Sequence, residues 1–124
     1  METLNRISYD IIGAAYKVHS SLGPGLLEST YEVCLEHELL KMGYKVERRK
    51  PLPVIYDGIK LDAGYRNDLL VEDNVIIELK SVNELIPLYK GQLMTYLKLT
   101  ELKLGLLMNF NVTDMKKGIT RIVM

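Results

Sequence analysis

Apolar side chains recur at Leu4, Ile7, Ile11, Ala14, Ala15, Val18 and Leu22, the spacing of one face of a helix, and predict a helix over residues 4–22. Ser20-Ser21-Leu22-Gly23-Pro24-Gly25 then breaks the chain, because glycine permits a left-handed terminus and proline cannot continue a helix. A second helix is expected over residues 26–41, with Gly43 as its stop. From Tyr44 onward the period shortens to two. Residues 44–50 alternate like a strand, and Pro51-Leu52-Pro53 suits an edge or a bend. Val54-Ile55-Tyr56, Asp57-Gly58 and Ile59-Lys60-Leu61 read as a hairpin with Asp-Gly as its turn. Strands are expected at 65–71 and 75–80, then a helix over 87–99 opened by Pro87, then strands at 103–110 and 118–124. Helices before and after such strands imply an α/β or α+β fold with both sheet faces covered.

The chain has 124 residues, 48% hydrophobic and 26% charged, which excludes intrinsic disorder and gives one domain over residues 1–124 as the expectation. Its 16 Lys and Arg balance 16 Asp and Glu, with a pI near 6.7. That balance argues against a basic protein that coats nucleic acid through summed phosphate contacts. It leaves room for an enzyme with a local basic surface. Cys34, the one cysteine, cannot form an internal disulfide, and with only His19 and His37 zinc sites of four such ligands are out of reach. Met1-Glu2-Thr3-Leu4-Asn5-Arg6 does not resemble a signal peptide, and no run nears the roughly 18 apolar residues of a membrane span. A cytoplasmic protein with no membrane partner is the expectation.

The chemistry concentrates between Asn67 and Lys80. On a strand over 75–80, Glu78 and Lys80 share a face with Ile76, while Val75, Ile77 and Leu79 face the other way. Charges on a covered strand are costly unless paired or metal-bound, and an isolated salt bridge is the simplest explanation. Asp68 joins them only in one register. A two-residue loop at Asp73-Asn74 opposes Asp68 to Leu79; a three-residue loop, Glu72-Asp73-Asn74, opposes it to Glu78. The longer loop is expected, with Asn74 as the left-handed residue that closes it. Two carboxylates then converge with a lysine. Such hard oxygen donors suit Mg²⁺ (or Mn²⁺), and the lysine can serve the attacking water and the charge on a phosphate. Phosphodiester hydrolysis fits this set.

Gly25-Leu26-Leu27-Glu28-Ser29-Thr30-Tyr31 resembles the signature of the GxxExxY proteins, a group within the PD-(D/E)xK nuclease superfamily. Nearly the whole chain shares in the likeness, including Asp68…Glu78-Leu79-Lys80. Gln92-Leu93-Met94-Thr95-Tyr96 is similar to the Gln-x-x-x-Tyr motif of RecB-like nucleases. The resemblance implies a restriction-endonuclease-like central mixed sheet flanked by helices. It implies that Asp68 and Glu78 bind Mg²⁺, with the Leu79 carbonyl, and that Lys80 serves the attacking water. Asn67 stands where the superfamily's name has proline.

Glu28 falls on one helical stripe with Tyr31, Leu35, Leu39 and Met42, and a metal site across the helix–sheet interface would give its carboxylate a partner. Against that, acids are favourable in any first helical turn, and Glu38 lies near the same stripe. Tyr31 is expected to pack and to hydrogen-bond through its hydroxyl. Gln92 and Tyr96, four apart, share a face and are candidates for touching phosphate or the attacking water; an ordinary helix surface is the plainer alternative. His19 suits a cap or core role, His37 a solvent-facing one, and Gly13 a close-packing point. Lys41, Lys45, Arg48, Arg49 and Lys50 form a basic cluster that could hold a DNA or RNA backbone if it flanks the acidic site, or could simply be solvated. A Mg²⁺-dependent nuclease leads. A non-catalytic scaffold of the same fold, or chemistry on a small phosphorylated molecule, are the alternatives. So small a chain has little surface to enclose a substrate, which makes a homodimer or partner protein an expectation.

Overall fold

The computed structural model describes every residue except 62–65. Among the described residues, three α-helices, α1 (Glu2–Leu22), α2 (Glu28–Lys41) and α3 (Pro87–Thr100), accompany seven strands: β1 (Val46–Arg48), β2 (Val54–Tyr56), β3 (Ile59–Leu61), β4 (Leu69–Val71), β5 (Val75–Lys80), β6 (Leu104–Asn109) and β7 (Ile119–Val123). The main sheet runs β1-β4-β5-β6-β7. Among the described residues its β5–β6 pair alone is parallel, because α3 carries the chain back to the start of the sheet between them. This is an α+β, restriction-endonuclease-like layout. Among the described residues, no helix is long and apolar enough to cross a membrane.

Strand β5 is the spine. Val75, Ile76 and Ile77 are all buried, as expected of a strand covered on both faces. One face packs Val75, Ile77 and Leu79 against Ile11, Ala15, Leu35 and Leu39 of α1 and α2. The other packs Ile76 with Leu70, Leu107 and Ile122 beneath Leu93 and Leu97 of α3. Gly105 lets α3 settle there: a Cβ at this position would lie 3.0 Å from Leu97 and 3.1 Å from Leu93.

Several local expectations are corrected. The strand over 44–50 shrinks to β1 because Arg49 takes a left-handed conformation (φ 52°), which ends the extended run. The hairpin of β2 and β3 forms as expected through Asp57 and Gly58, both at positive φ, and makes its own two-stranded sheet, while β1 pairs with β4. The strand over 65–71 begins only at Leu69; its first residue lies outside the described ones, and Arg66 makes an isolated bridge with Pro51. Gly13 is not a close-packing point, since it is exposed and nothing lies within 4 Å of where its Cβ would be. His19 does act as a tie: its Nε2 lies 2.7 Å from the Val112 carbonyl, while its own carbonyl accepts the capping Gly23 N–H.

Two glycines should therefore respond oppositely to alanine. Gly13→Ala is expected to stabilise by about 0.5–1 kcal/mol, because an exposed helix interior gains propensity at no steric cost. Gly118→Ala would place a Cβ 2.2 Å from the Asn109 carbonyl oxygen, and is expected to destabilise by about 1–3 kcal/mol. Urea midpoints of the two variants check both signs.

Candidate active site

The β4–β5 hairpin decides which acidic groups meet. Val71 pairs with Val75, Leu70 with Ile76 and Leu69 with Ile77, so the loop is the three-residue Glu72-Asp73-Asn74 and Asp68 lies across from Glu78. The left-handed residues, however, are Glu72 (φ 52°) and Asp73 (φ 56°) rather than Asn74. A type I′ turn needs positive φ at both central residues, and Asn74 closes it with an N–H bond to the Val71 carbonyl at 3.0 Å. The Asn74 amide also donates to the Glu72 carbonyl at 2.8 Å.

Asp68 is fixed by the backbone of the neighbouring strand: its Oδ2 accepts the Leu79 N–H at 2.8 Å. Glu78 lies opposite it across the strand pair and its carboxyl interacts with that of Asp68; both residues are half-buried. Burial pushes the Asp68 carboxyl up from the usual carboxylate range, and the negative charge of Glu28 pushes it further the same way. The Leu79 N–H, the Glu78 contact and the Arg49 guanidinium pull in the opposite direction without reversing the shift.

Glu28 reaches this neighbourhood through a clamped loop. Gly23 and Gly25 adopt positive φ (71° and 97°), which turns the chain between α1 and α2. The Tyr31 hydroxyl donates to the Gly23 carbonyl at 2.6 Å and accepts the Leu26 N–H at 3.1 Å. Its ring stacks on Phe110 at 4.6 Å. Tyr31 thus packs and bonds as expected. Ser81, just past β5, donates to the Leu26 carbonyl at 2.6 Å and ties the loop to the acidic strand end. Glu28 itself is exposed and acts on Asp68 through its charge. Among the described residues no three His, Cys, Asp or Glu side chains form a metal-binding group; the donors already in contact are Asp68 and Glu78.

On the α3 side, Glu78 and Lys80 line a cleft of about 20 Å³ with Tyr89, Gln92, Leu93, Tyr96 and Leu107. That is room for about one water. Gln92 and Tyr96 therefore face the same cleft as Lys80. A cavity of about 500 Å³ lies elsewhere, lined by Leu52, Ile55 and the end of α3. Volume here does not mark the chemistry; the convergence of charged groups does.

Four contributors carry little signal in the sequence. Tyr89 places its ring 4.5 Å from Lys80 Nζ. Buried Asn109 accepts the Val82 N–H at 3.1 Å and donates to the Val82 carbonyl at 3.0 Å, locking the chain just past Lys80. Buried Asn67 donates to the Lys50 carbonyl at 3.2 Å beside Asp68. Glu32, 2% exposed, pairs with Arg48 at 2.9 Å and Arg49 at 3.6 Å. That last pair, together with Lys45 and Lys50 on Asp73 and Glu47 and Lys41 on Glu38, means the basic cluster is already engaged in ion pairs. A glutamate one step from the apolar stripe of a helix, followed later by Arg-Arg, was the only hint of the Glu32 contact.

A family model for the PD-(D/E)XK nuclease superfamily matches residues 5–122. The chain belongs to that superfamily. Comparisons with curated proteins and with solved structures give no significant match. PD-(D/E)XK nucleases usually use divalent metals and act on nucleic acid.

The raised Asp68 pKa has a consequence for folding. A carboxyl with a higher pKa when folded stabilises the protein most below its unfolded pKa, and that stability is lost as pH rises through the folded value. Without divalent metal, Asp68→Asn is expected to raise the urea midpoint at pH 7, since the amide can still accept the Leu79 N–H and carries no buried charge. The gain should vanish below about pH 4, where aspartate is protonated in both states.

Proposed function

We propose that this PD-(D/E)XK protein is a Mg²⁺-dependent nuclease hydrolysing phosphodiester bonds of DNA or RNA. The observation that carries the reading is the contact between the Asp68 and Glu78 carboxyl groups at the end of the strand that presents Lys80. Two carboxyl groups in contact, one pushed toward its protonated form by burial and by Glu28, form a site that a hard cation relieves. That donor set fits Mg²⁺, with Mn²⁺ as a substitute. Asp68 and Glu78 would hold the ion, with Glu28 and the Leu79 carbonyl supplementing them. When bound, the ion supplies Lewis-acid polarisation of the phosphate and charge compensation.

The chain's own groups do the rest. The Leu79 N–H keeps the Asp68 carboxylate aimed through its Oδ2. Lys80 lines the cleft beside Glu78 with its ammonium over the Tyr89 ring, and there it would orient the attacking water and stabilise charge building on the phosphate oxygens. Gln92 and Tyr96 line the same cleft, and both would position the water or the phosphate. The Gly25…Tyr31 segment supports assignment to the GxxExxY proteins, since its tyrosine holds the loop that delivers Glu28. Residues 1–124 are proposed as one nuclease-like domain, working as a homodimer or beside a partner protein.

A non-catalytic scaffold is the second reading, favoured by one observation: the basic cluster that would hold a nucleic-acid backbone is spent on Glu32, Glu47 and Asp73. The two readings separate in a cleavage assay on labelled DNA and RNA oligonucleotides. Mg²⁺-dependent cleavage is expected, with Asp68→Ala and Lys80→Ala each lowering it by about 10²-fold or more. No cleavage, together with no Mg²⁺ or Mn²⁺ binding at millimolar concentration, supports the scaffold. Hydrolysis of nucleotides but not polymers points to a small-molecule substrate.

A further inference from the structure

Tyr89 belongs to none of the motifs that point to the acidic site, yet its ring lies 4.5 Å from Lys80 Nζ. It is the third residue of α3, after Pro87 and Leu88, and its N–H bonds the Ile86 carbonyl at 3.1 Å. Proline at the first helical position sets the backbone there, so the ring hangs from a fixed turn. Tyr89, Gln92, Leu93 and Tyr96 follow the spacing of a single helical face, and all four line the cleft shared with Glu78 and Lys80. Tyr89 is also packed against the core formed by Leu70, Ile76 and Leu93. A ring wedged this way, with two side-chain torsions, is a rigid platform. Lysine is the opposite: a hydrated point charge on a flexible four-carbon stem.

We propose that Tyr89 is a positioning residue for Lys80, holding the ammonium at the cleft through the negative face of its ring. The catalytic consequence rests on the nuclease reading above; the contact itself does not. The attraction between ammonium and ring quadrupole needs the ring and not the hydroxyl. Lys80 ends β5, and without the ring its stem would sample solvent, so fewer molecules would have the ammonium in reach of a substrate phosphate. The effect belongs in kcat, since Tyr89 is assigned no contact with substrate. A tyrosine that merely filled the apolar edge would be replaced equally well by leucine.

Tyr89→Phe and Tyr89→Leu separate these roles. In protein carrying ¹³C-labelled lysine, with Lys80 assigned through Lys80→Arg, the Lys80 ε-methylene protons should show an upfield ring-current shift. The shift should persist in Tyr89→Phe and disappear in Tyr89→Leu. For Mg²⁺-dependent oligonucleotide cleavage, Tyr89→Leu should lower kcat about three- to thirtyfold with KM little changed, and Tyr89→Phe should stay within about twofold of wild type. An unshifted Lys80 resonance in the wild type overturns the proposal. So does a Tyr89→Phe variant that falls as far as Tyr89→Leu, or a Tyr89→Leu variant that keeps both shift and kcat. The wild-type spectrum and the phenylalanine comparison decide the matter even if the leucine variant does not fold. Should the wild type cleave nothing, the nuclease reading fails, while the resonance still reports whether Tyr89 holds Lys80.

Discussion

The Leu79 N–H to Asp68 hydrogen bond joins the two strands at the point where Asp68 and Glu78 meet, and the register it belongs to places both carboxylates and Lys80 on one face. It exists only in the register set by the three-residue Glu72-Asp73-Asn74 loop. A slip of one residue would turn Glu78 and Lys80 toward α1 and α2 and bring Val75, Ile77 and Leu79 under α3. That alternative is closed on both sides, because β5 is buried on both faces and each face has its own complementary set of side chains. The register is therefore held by the whole core. The cost is local: the core holds Asp68 where burial and Glu28 work against its charge. Strain of this kind, concentrated in a few polar groups of an otherwise consistent fold, is typical of functional sites.

Three supports converge on the strand end from different parts of the chain. Tyr31 and Phe110 hold the loop ahead of α2, and Ser81 couples that loop to β5. Asn109 locks the segment past Lys80 through both sides of its amide. Gly105 lets α3 approach closely enough for Tyr89, Gln92 and Tyr96 to share a cleft with Glu78 and Lys80. The zero net charge of the chain fits this arrangement. The cations Lys45, Arg48, Arg49 and Lys50 are engaged by Glu32, Glu47 and Asp73, so that cluster offers no open basic surface.

Much of this was legible in the residues themselves. The helical periods and the alternation of residues 75–80 reported elements dominated by burial, where pattern and packing agree. The Asp68–Glu78 register was legible because side-chain alternation makes loop length a parity question. What escaped was set by the backbone or by distant partners. Asn74 was the better left-handed residue by intrinsic preference, but the turn required two such residues and took Glu72 and Asp73. Arg49 ended β1 in a conformation nothing in its neighbours announces. Glu32, Asn109 and Tyr89 gain their meaning from residues at least nine positions away, and no local period encodes that. Gly13 failed for a simpler reason: a glycine in a helical pattern suggested close packing, and here it faces open space.

Mn²⁺ introduced into crystals of the protein with a short oligonucleotide tests the central claim most directly, because its anomalous signal locates the ion. The expected result is one peak within bonding distance of the Asp68 and Glu78 carboxylates, with a phosphate oxygen and waters as the remaining ligands. Ordered Asp68 and Glu78 side chains with no peak between them, at a concentration that loads ordinary Mg²⁺ sites, would contradict it.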